Sequence, residues 1–183
     1  MKKTLSYVWE LAKIFFIALV IVVPIRYFLF QPFIVKGDSM LPSFYSGDYL
    51  IIDEISYRFN EPQRGDVIVF KYPKNPSQRF IKRVIGLPGE TIEIKDGQIT
   101  ISGKGNQQQI LDETSYLPNA KSTTYGNVQV TLGEKEYFVL GDNRAYSSDS
   151  RTWGTLPREN IIGKVFVRIF PLANLAKITV PAY

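Results

Sequence analysis

Seventeen residues, Ile14 to Phe30, form an apolar stretch broken only by Pro24 and Arg26. As a helix rising about 1.5 Å per residue it is roughly 25 Å long, just short of a ~30 Å hydrocarbon core. Tyr7, Trp9 and Phe33 flank it as interface anchors. Its thirteen Leu, Ile, Val and Phe residues each favour insertion by about 0.3–0.6 kcal/mol. Arg26 opposes it by roughly 3 kcal/mol or less, and it lies near the end, where it can snorkel. A buried core helix would have to hide Arg26, and almost nothing around the run is polar at helical spacing. A cleavable leader would need small residues after the run, whereas Tyr27-Phe28-Leu29-Phe30-Gln31-Pro32-Phe33 is bulky throughout. The stretch therefore predicts a single uncleaved transmembrane helix within residues 1–32. Lys2, Lys3 and Lys13 place its N-terminus in the cytoplasm, so residues 33–183 are expected as one extracytoplasmic domain of a cell-membrane protein.

That domain reads as mostly β, a mixed antiparallel sheet, because tyrosine, phenylalanine and β-branched residues are plentiful and long charged helical patterns are scarce. Phe33 to Lys36 is an extended lead-in to a turn at Gly37-Asp38-Ser39-Met40-Leu41-Pro42-Ser43. Strands are expected at Tyr49–Asp53, Val67–Phe70, Arg79–Ile85, Glu136–Leu140 and Val165–Phe170, each bounded by Gly, Pro or Asp. Thr91 to Ile101 is an alternating hairpin around Asp96-Gly97, the pair that a type I′ turn requires. Residues 103–133 are polar and read as a surface excursion with one or two strands. Arg64-Gly65-Asp66 reads as a strand-opening turn rather than an adhesion motif.

The chain contains no histidine and no cysteine. A Ser-His-Asp triad, a thiol nucleophile, a disulfide framework and a His- or Cys-ligated metal site are all excluded. The net charge of +5 comes from scattered basic residues rather than runs, which argues against nucleic acid as a partner. If such a chain cuts bonds covalently, its nucleophile is a hydroxyl and its base is an amine. Lysine serves when burial lowers its pKa. Strand alternation places Lys82 between Phe80 and Val84 on one face, the apolar setting that a neutral lysine needs. A lysine snorkelling from a strand edge is the other reading of the same pattern.

Four stretches then stand together: Gly37-Asp38-Ser39-Met40-Leu41-Pro42, Arg64-Gly65-Asp66-Val67, Lys82-Arg83-Val84-Ile85-Gly86-Leu87-Pro88-Gly89-Glu90, and Gly141-Asp142-Asn143-Arg144 through Ser147, Asp149, Ser150 and Arg151. With the N-terminal segment, they are similar to the bacterial type I signal peptidases (leader peptidases), a Ser-Lys dyad serine protease family. The resemblance runs from the membrane segment to about Pro171. It implies a membrane-bound endopeptidase that removes signal peptides from exported preproteins after small residues, at Ala-x-Ala-like sites, through an acyl-enzyme. Ser39 matches the nucleophile and Lys82 the general base. Ser147 matches the serine that orients the lysine, and Asp149 and Arg151 a supporting ion pair. Asp142 lies where it could pair with Arg83 or Arg151.

In some family members a serine two residues before the nucleophile helps to form the oxyanion hole. Here that place is Gly37, so the oxyanion is left to the Ser39 backbone N–H and a second donor, either a backbone group freed by Gly37 or a water. Phe33, Val35, Met40, Phe80 and Ile81 match positions lining the shallow substrate pockets, and ordinary core packing is the other reading of each. The resemblance implies no cofactor and no metal, with secreted preproteins and membrane lipid as partners. Two alternatives remain open. One is a self-cleaving repressor-like Ser-Lys protease, against which the anchor segment argues. The other is an inactive membrane-anchored β module that binds exported peptides, against which the retention of both Ser39 and Lys82 argues.

Overall fold

The computed structural model describes residues 2–28, 30–103, 107–117, 124–171, 175–178 and 181. Helix α1 (Lys2–Phe28) comes first. Its 27 residues span about 40 Å, and Pro24 lies inside it rather than ending it. Leu11, Ile14, Phe15, Phe16 and Ile17 on this helix are all exposed. Among the described residues, no helix is long and apolar enough to cross a membrane.

The rest is antiparallel β structure, as the composition predicts. The first strands are β1 (Phe30–Ile34), β2 (Tyr49–Asp53), β3 (Val67–Tyr72) and β4 (Asn75–Gly86). The expected hairpin follows as β5 (Thr91–Lys95) and β6 (Gln98–Ser102), with Asp96 and Gly97 at φ +49° and +77°. Then come β7 (Gln108–Ile110), β8 (Val128–Thr131), β9 (Glu136–Leu140), β10 (Leu156–Pro157), β11 (Ile161–Phe170) and β12 (Ala176–Lys177). Two short helices, α2 (Ser56–Phe59) and α3 (Ser150–Trp153), complete the described elements along with two 3-10 turns. One sheet runs β1-β2-β11-β3-β4-β9-β10, with β12 also on β11, and a second runs β7-β6-β5-β8.

Three sequence expectations differ in detail. β1 begins at Phe30 and pairs with β2, so the sheet takes up the chain before Phe33. β4 begins at Asn75, taking Pro76 into an exposed edge where a missing N–H costs nothing. Residues 103–133 are not merely a surface excursion: Leu111, Glu113, Leu117, Thr124 and Leu132 are buried there.

The core lies in three clusters that share walls. Val35, Met40, Phe44, Leu50, Ile52, Val67, Val69, Ile81 and Val165 form the first. Tyr57, Ile68, Phe70, Val84, Tyr137, Val139, Trp153, Leu156 and Ile161 form the second. β3 is buried on both faces, giving Val67 and Val69 to one cluster and Ile68 and Phe70 to the other. The second sheet packs its isoleucines on Ile85, Phe138 and Leu140. Close backbone approach fixes Gly163, where an added Cβ would stand 2.6 Å from the Asp53 carbonyl oxygen on the neighbouring strand. Gly163→Ala is expected to lower stability by about 1–3 kcal/mol, read from the midpoint of a urea or thermal melt.

Candidate active site

The turn carrying Ser39 is built by its neighbours. Gly37 adopts φ +82°, a conformation that suits glycine, and turns the chain out of β1. Met40 and Phe44 are buried and linked by the bond from the Phe44 N–H to the Met40 carbonyl, 2.9 Å. They seat the turn on the first core cluster and leave Ser39 half-exposed. Exchange between Val35, Gly47 and Asp48 closes the base: the Val35 N–H donates to the Asp48 carbonyl at 3.0 Å, and the Gly47 N–H to that of Val35 at 2.9 Å.

Lys82 lies opposite Ile68 in the middle of β4 and is 3% exposed. Its Nζ is 2.8 Å from Ser39 Oγ and donates to the Ile81 carbonyl at 2.8 Å. Phe80 lies beneath, its ring centre 5.4 Å from Nζ. Burial lowers the Lys82 pKa to about 8, against an upward pull from Asp149 and Asp142. Such an amine is neutral in a large fraction of molecules near pH 8, and when neutral it can accept the Ser39 proton along the same line.

The loop after β9 forms the other wall. Arg83 pairs in bidentate fashion with Asp142, at 2.9 and 2.7 Å, with side chains 5% and 0% exposed. Arg151 grips Asp149 with two bonds of 2.8 Å, and the Asp149 carboxylate accepts the Gly141 N–H at 3.1 Å. Both sequence-predicted pairs are thus present in geometry, with Asp142 on Arg83 rather than Arg151. Ser147 is carried close to Ser39, since a Cβ on Gly141 would collide with both the Ser147 side chain and the Ser39 carbonyl oxygen. The Ser147 hydroxyl is buried and, among the described residues, has no hydrogen-bond partner. Gly141→Ala is expected to force this loop off the Ser39 turn and reduce turnover by at least about tenfold, measured as kcat on a cleavable peptide.

The remaining site residues divide. The Gly37 N–H donates to Ser46 Oγ at 3.3 Å, while the Ser39 N–H has no acceptor among the described residues. Phe33, Phe80 and Ile81 line a groove of about 590 Å³ together with Ile34, Ser39 and Lys82. Val35 and Met40 lie below it, 1% and 0% exposed, in the first core cluster. Sequence reasoning missed Asn143. Its backbone N–H donates to the Ser39 carbonyl and its side-chain amide to that of Asp38, both at 3.0 Å. Together these bonds fasten the serine turn to the opposite loop, and the only signal for them in the sequence was the Gly141-Asp142-Asn143-Arg144 run itself.

The family description "Signal peptidase, peptidase S26" matches residues 8–170. The chain belongs to the signal peptidase family, peptidase S26. Signal peptidase I of Leptolyngbya laminosa is 40% identical over 173 residues, covering 90% of this chain and 81% of that protein. Probable signal peptidase I-1 of Synechocystis sp. is 38% identical over 178 residues, covering 92% and 86%. Signal peptidase I T of Bacillus subtilis is 35% identical over 179 residues, covering 95% and 91%. A solved signal peptidase I from Enterococcus faecalis is 38% identical with a TM-score of 0.48, over 57% of this chain and 97% of that one. In this signal peptidase family member, the Ser39 turn, Lys82 and the loop from Gly141 to Arg151 all fall within the matched span.

Proposed function

We propose that this chain is a membrane-bound endopeptidase that cuts signal peptides from exported preproteins after small residues, with Ser39 as nucleophile and Lys82 as general base. The observation that carries the mechanism is the 2.8 Å contact between Ser39 Oγ and a buried lysine whose pKa is lowered to about 8. Neutral Lys82 takes the Ser39 proton as Oγ attacks the scissile carbonyl. The lysine then gives that proton to the leaving amine, and the signal peptide remains as an ester on Ser39. A water, deprotonated by the same amine, releases it and regenerates the hydroxyl. The Ser39 N–H supplies one oxyanion donor. Ser147, whose buried hydroxyl has no hydrogen-bond partner among the described residues, is the serine that the family resemblance assigns to orienting Lys82.

An extended peptide fits the groove because both its walls are strand edges. Among the described strands β1 pairs with β2 alone. β9 does not pair with β4 before Arg83, which leaves one edge of Asn75–Lys82 open. A peptide adding to these edges turns alternate side chains inward toward Phe33, Phe80 and Ile81. The apolar part of α1, from Ile14 to Phe28, anchors the enzyme as a single span with the N-terminus cytoplasmic. Exposed apolar side chains along α1, and Lys2, Lys3 and Lys13 in its N-terminal half, support this reading.

The detergent-solubilised protein should cleave a preprotein ending its signal in Ala-x-Ala after the last alanine, as read by product mass, and Ser39→Ala should not. Cleavage surviving that substitution would refute the nucleophile, and binding without cleavage would favour a peptide-binding module. Carbonate extraction should leave the chain in the membrane pellet. The pH profile carries its own sign. Lys82 is protonated below its lowered pKa, so kcat/KM should fall as pH drops below about 8. A profile flat from pH 6 to 9 would remove lysine as the base.

A further inference from the structure

The polar segment after β6 carries a buried carboxylate, Glu113. Glu113 accepts two bonds from Arg144, both 2.6 Å, and the side chains are 3% and 0% exposed. Arg144 also donates to Thr124 Oγ1 at 3.0 Å and to the Gly141 carbonyl at 2.9 Å. Its own carbonyl accepts from Arg151 at 2.7 Å, and Arg151 reaches back to the Tyr125 carbonyl at 3.3 Å. Beside Glu113, the Tyr116 hydroxyl donates to the same carboxylate, and the Tyr116 ring lies 4.0 Å from the Arg83 guanidinium carbon. One short turn therefore touches Arg144 directly and both supporting ion pairs at one remove. It also braces Gly141, the residue packed against Ser39 and Ser147.

A chain does not bury an arginine this completely without a counter-charge. Burial acts against the Arg144 charge, and the Glu113 carboxylate more than offsets it, so the Arg144 pKa is raised. Gly141, Asn143 and Ser147 on this loop approach the Ser39 turn, and Arg144 stands among them. We propose that Glu113 is a positioning residue for the Ser39–Lys82 pair. Acting through Arg144, it holds the Gly141–Arg151 loop at the distance where Asn143 fastens the serine turn and the loop seals Lys82 from water. This rests on the peptidase reading for its consequence but not for its geometry.

The test is Glu113→Gln, which keeps the shape and removes the charge, beside Glu113→Asp and the double variant Glu113→Gln/Arg144→Met. Each is assayed on an Ala-x-Ala peptide at temperatures where its melt shows it fully folded. Glu113→Gln should lower kcat at least about tenfold with KM within about twofold, and Glu113→Asp should recover part of that loss. Burial lowers the Lys82 pKa and outweighs the upward pull of the Asp149 and Asp142 carboxylates. Loosening the loop should hydrate the amine and move the acid limb of kcat/KM to higher pH. The double variant removes the unpaired charge and should regain thermal stability without regaining kcat. Wild-type kcat in folded Glu113→Gln would overturn the proposal. So would a double variant that regains stability and turnover together, because Glu113 would then serve folding alone. If the wild type cleaves nothing, the peptidase reading fails. The brace is then judged by the Lys82 titration in carbon-labelled lysine NMR, which Glu113→Gln should still shift upward and which an idle Glu113 would leave unmoved.

Discussion

Lys82→Met is expected to lower kcat/KM by about 10³-fold or more while leaving the melting temperature unchanged or raised. The first part follows because, in a chain without histidine, no other described base stands at hydrogen-bond distance from Ser39 Oγ. Removing one member of a unit that acts together costs nearly as much as removing all of it. The second part follows from burial. Lys82 sits at 3% exposure with its pKa depressed, so folding pays to desolvate an amine that the unfolded chain leaves hydrated and charged. The linkage has a definite sign. The folded state binds its proton more weakly, so stability rises with pH from about 8 toward the unfolded value of 10.5. Methionine has similar length and no charge, and it removes that term. Activity lost together with a large fall in melting temperature would mean that Lys82 holds the fold rather than performing chemistry.

Asp142→Ala is expected to destabilise the domain by about 3–5 kcal/mol, the cost of stranding a buried charge after its partner is removed. The side chains of Arg83 and Asp142 are 5% and 0% exposed, and the guanidinium is held on its other side by the Gly65 carbonyl at 2.9 Å and by the Tyr116 ring. It cannot turn out to water without breaking the turn into β3. Chemical denaturation reads the effect directly. Replacing both members, as Arg83→Met with Asp142→Leu, should recover most of the loss. Recovery of stability without recovery of activity would separate the pair's structural share from its effect on Lys82.

What was legible in the sequence was local. The hairpin at Asp96-Gly97 was readable because its pattern and its turn lie within a dozen residues. The strand holding Lys82 was readable from alternation, although alternation alone left the lysine free to snorkel. It took the joint match of four separated motifs to bring Ser39 and Lys82 together, and the two atoms do meet, 43 positions apart in sequence. Glu113 was invisible for the opposite reason. Its partner is 31 positions away, and its neighbours are polar. Glu113 itself is buried against an ion pair and beside a ring stacked on an arginine, and neither leaves a period in the chain. Val35 and Met40 show a similar limit: a motif match names a residue without saying whether it lines a groove or supports the floor beneath it.

The two-faced burial of β3 has a consequence for cooperativity. Val67 and Val69 hold up the floor below the Ser39 turn, while Ile68 and Phe70 belong to the cluster that includes Trp153 of α3. Neither half of the enzyme can loosen while the other stays packed, because a single strand is the wall of both. The groove and the loop opposite it should therefore melt in one transition. An inhibitor that fills the groove should raise the melting temperature of the whole domain, not of a sub-region. That makes thermal shift a direct assay for groove ligands in this fold, with no need for a preprotein substrate.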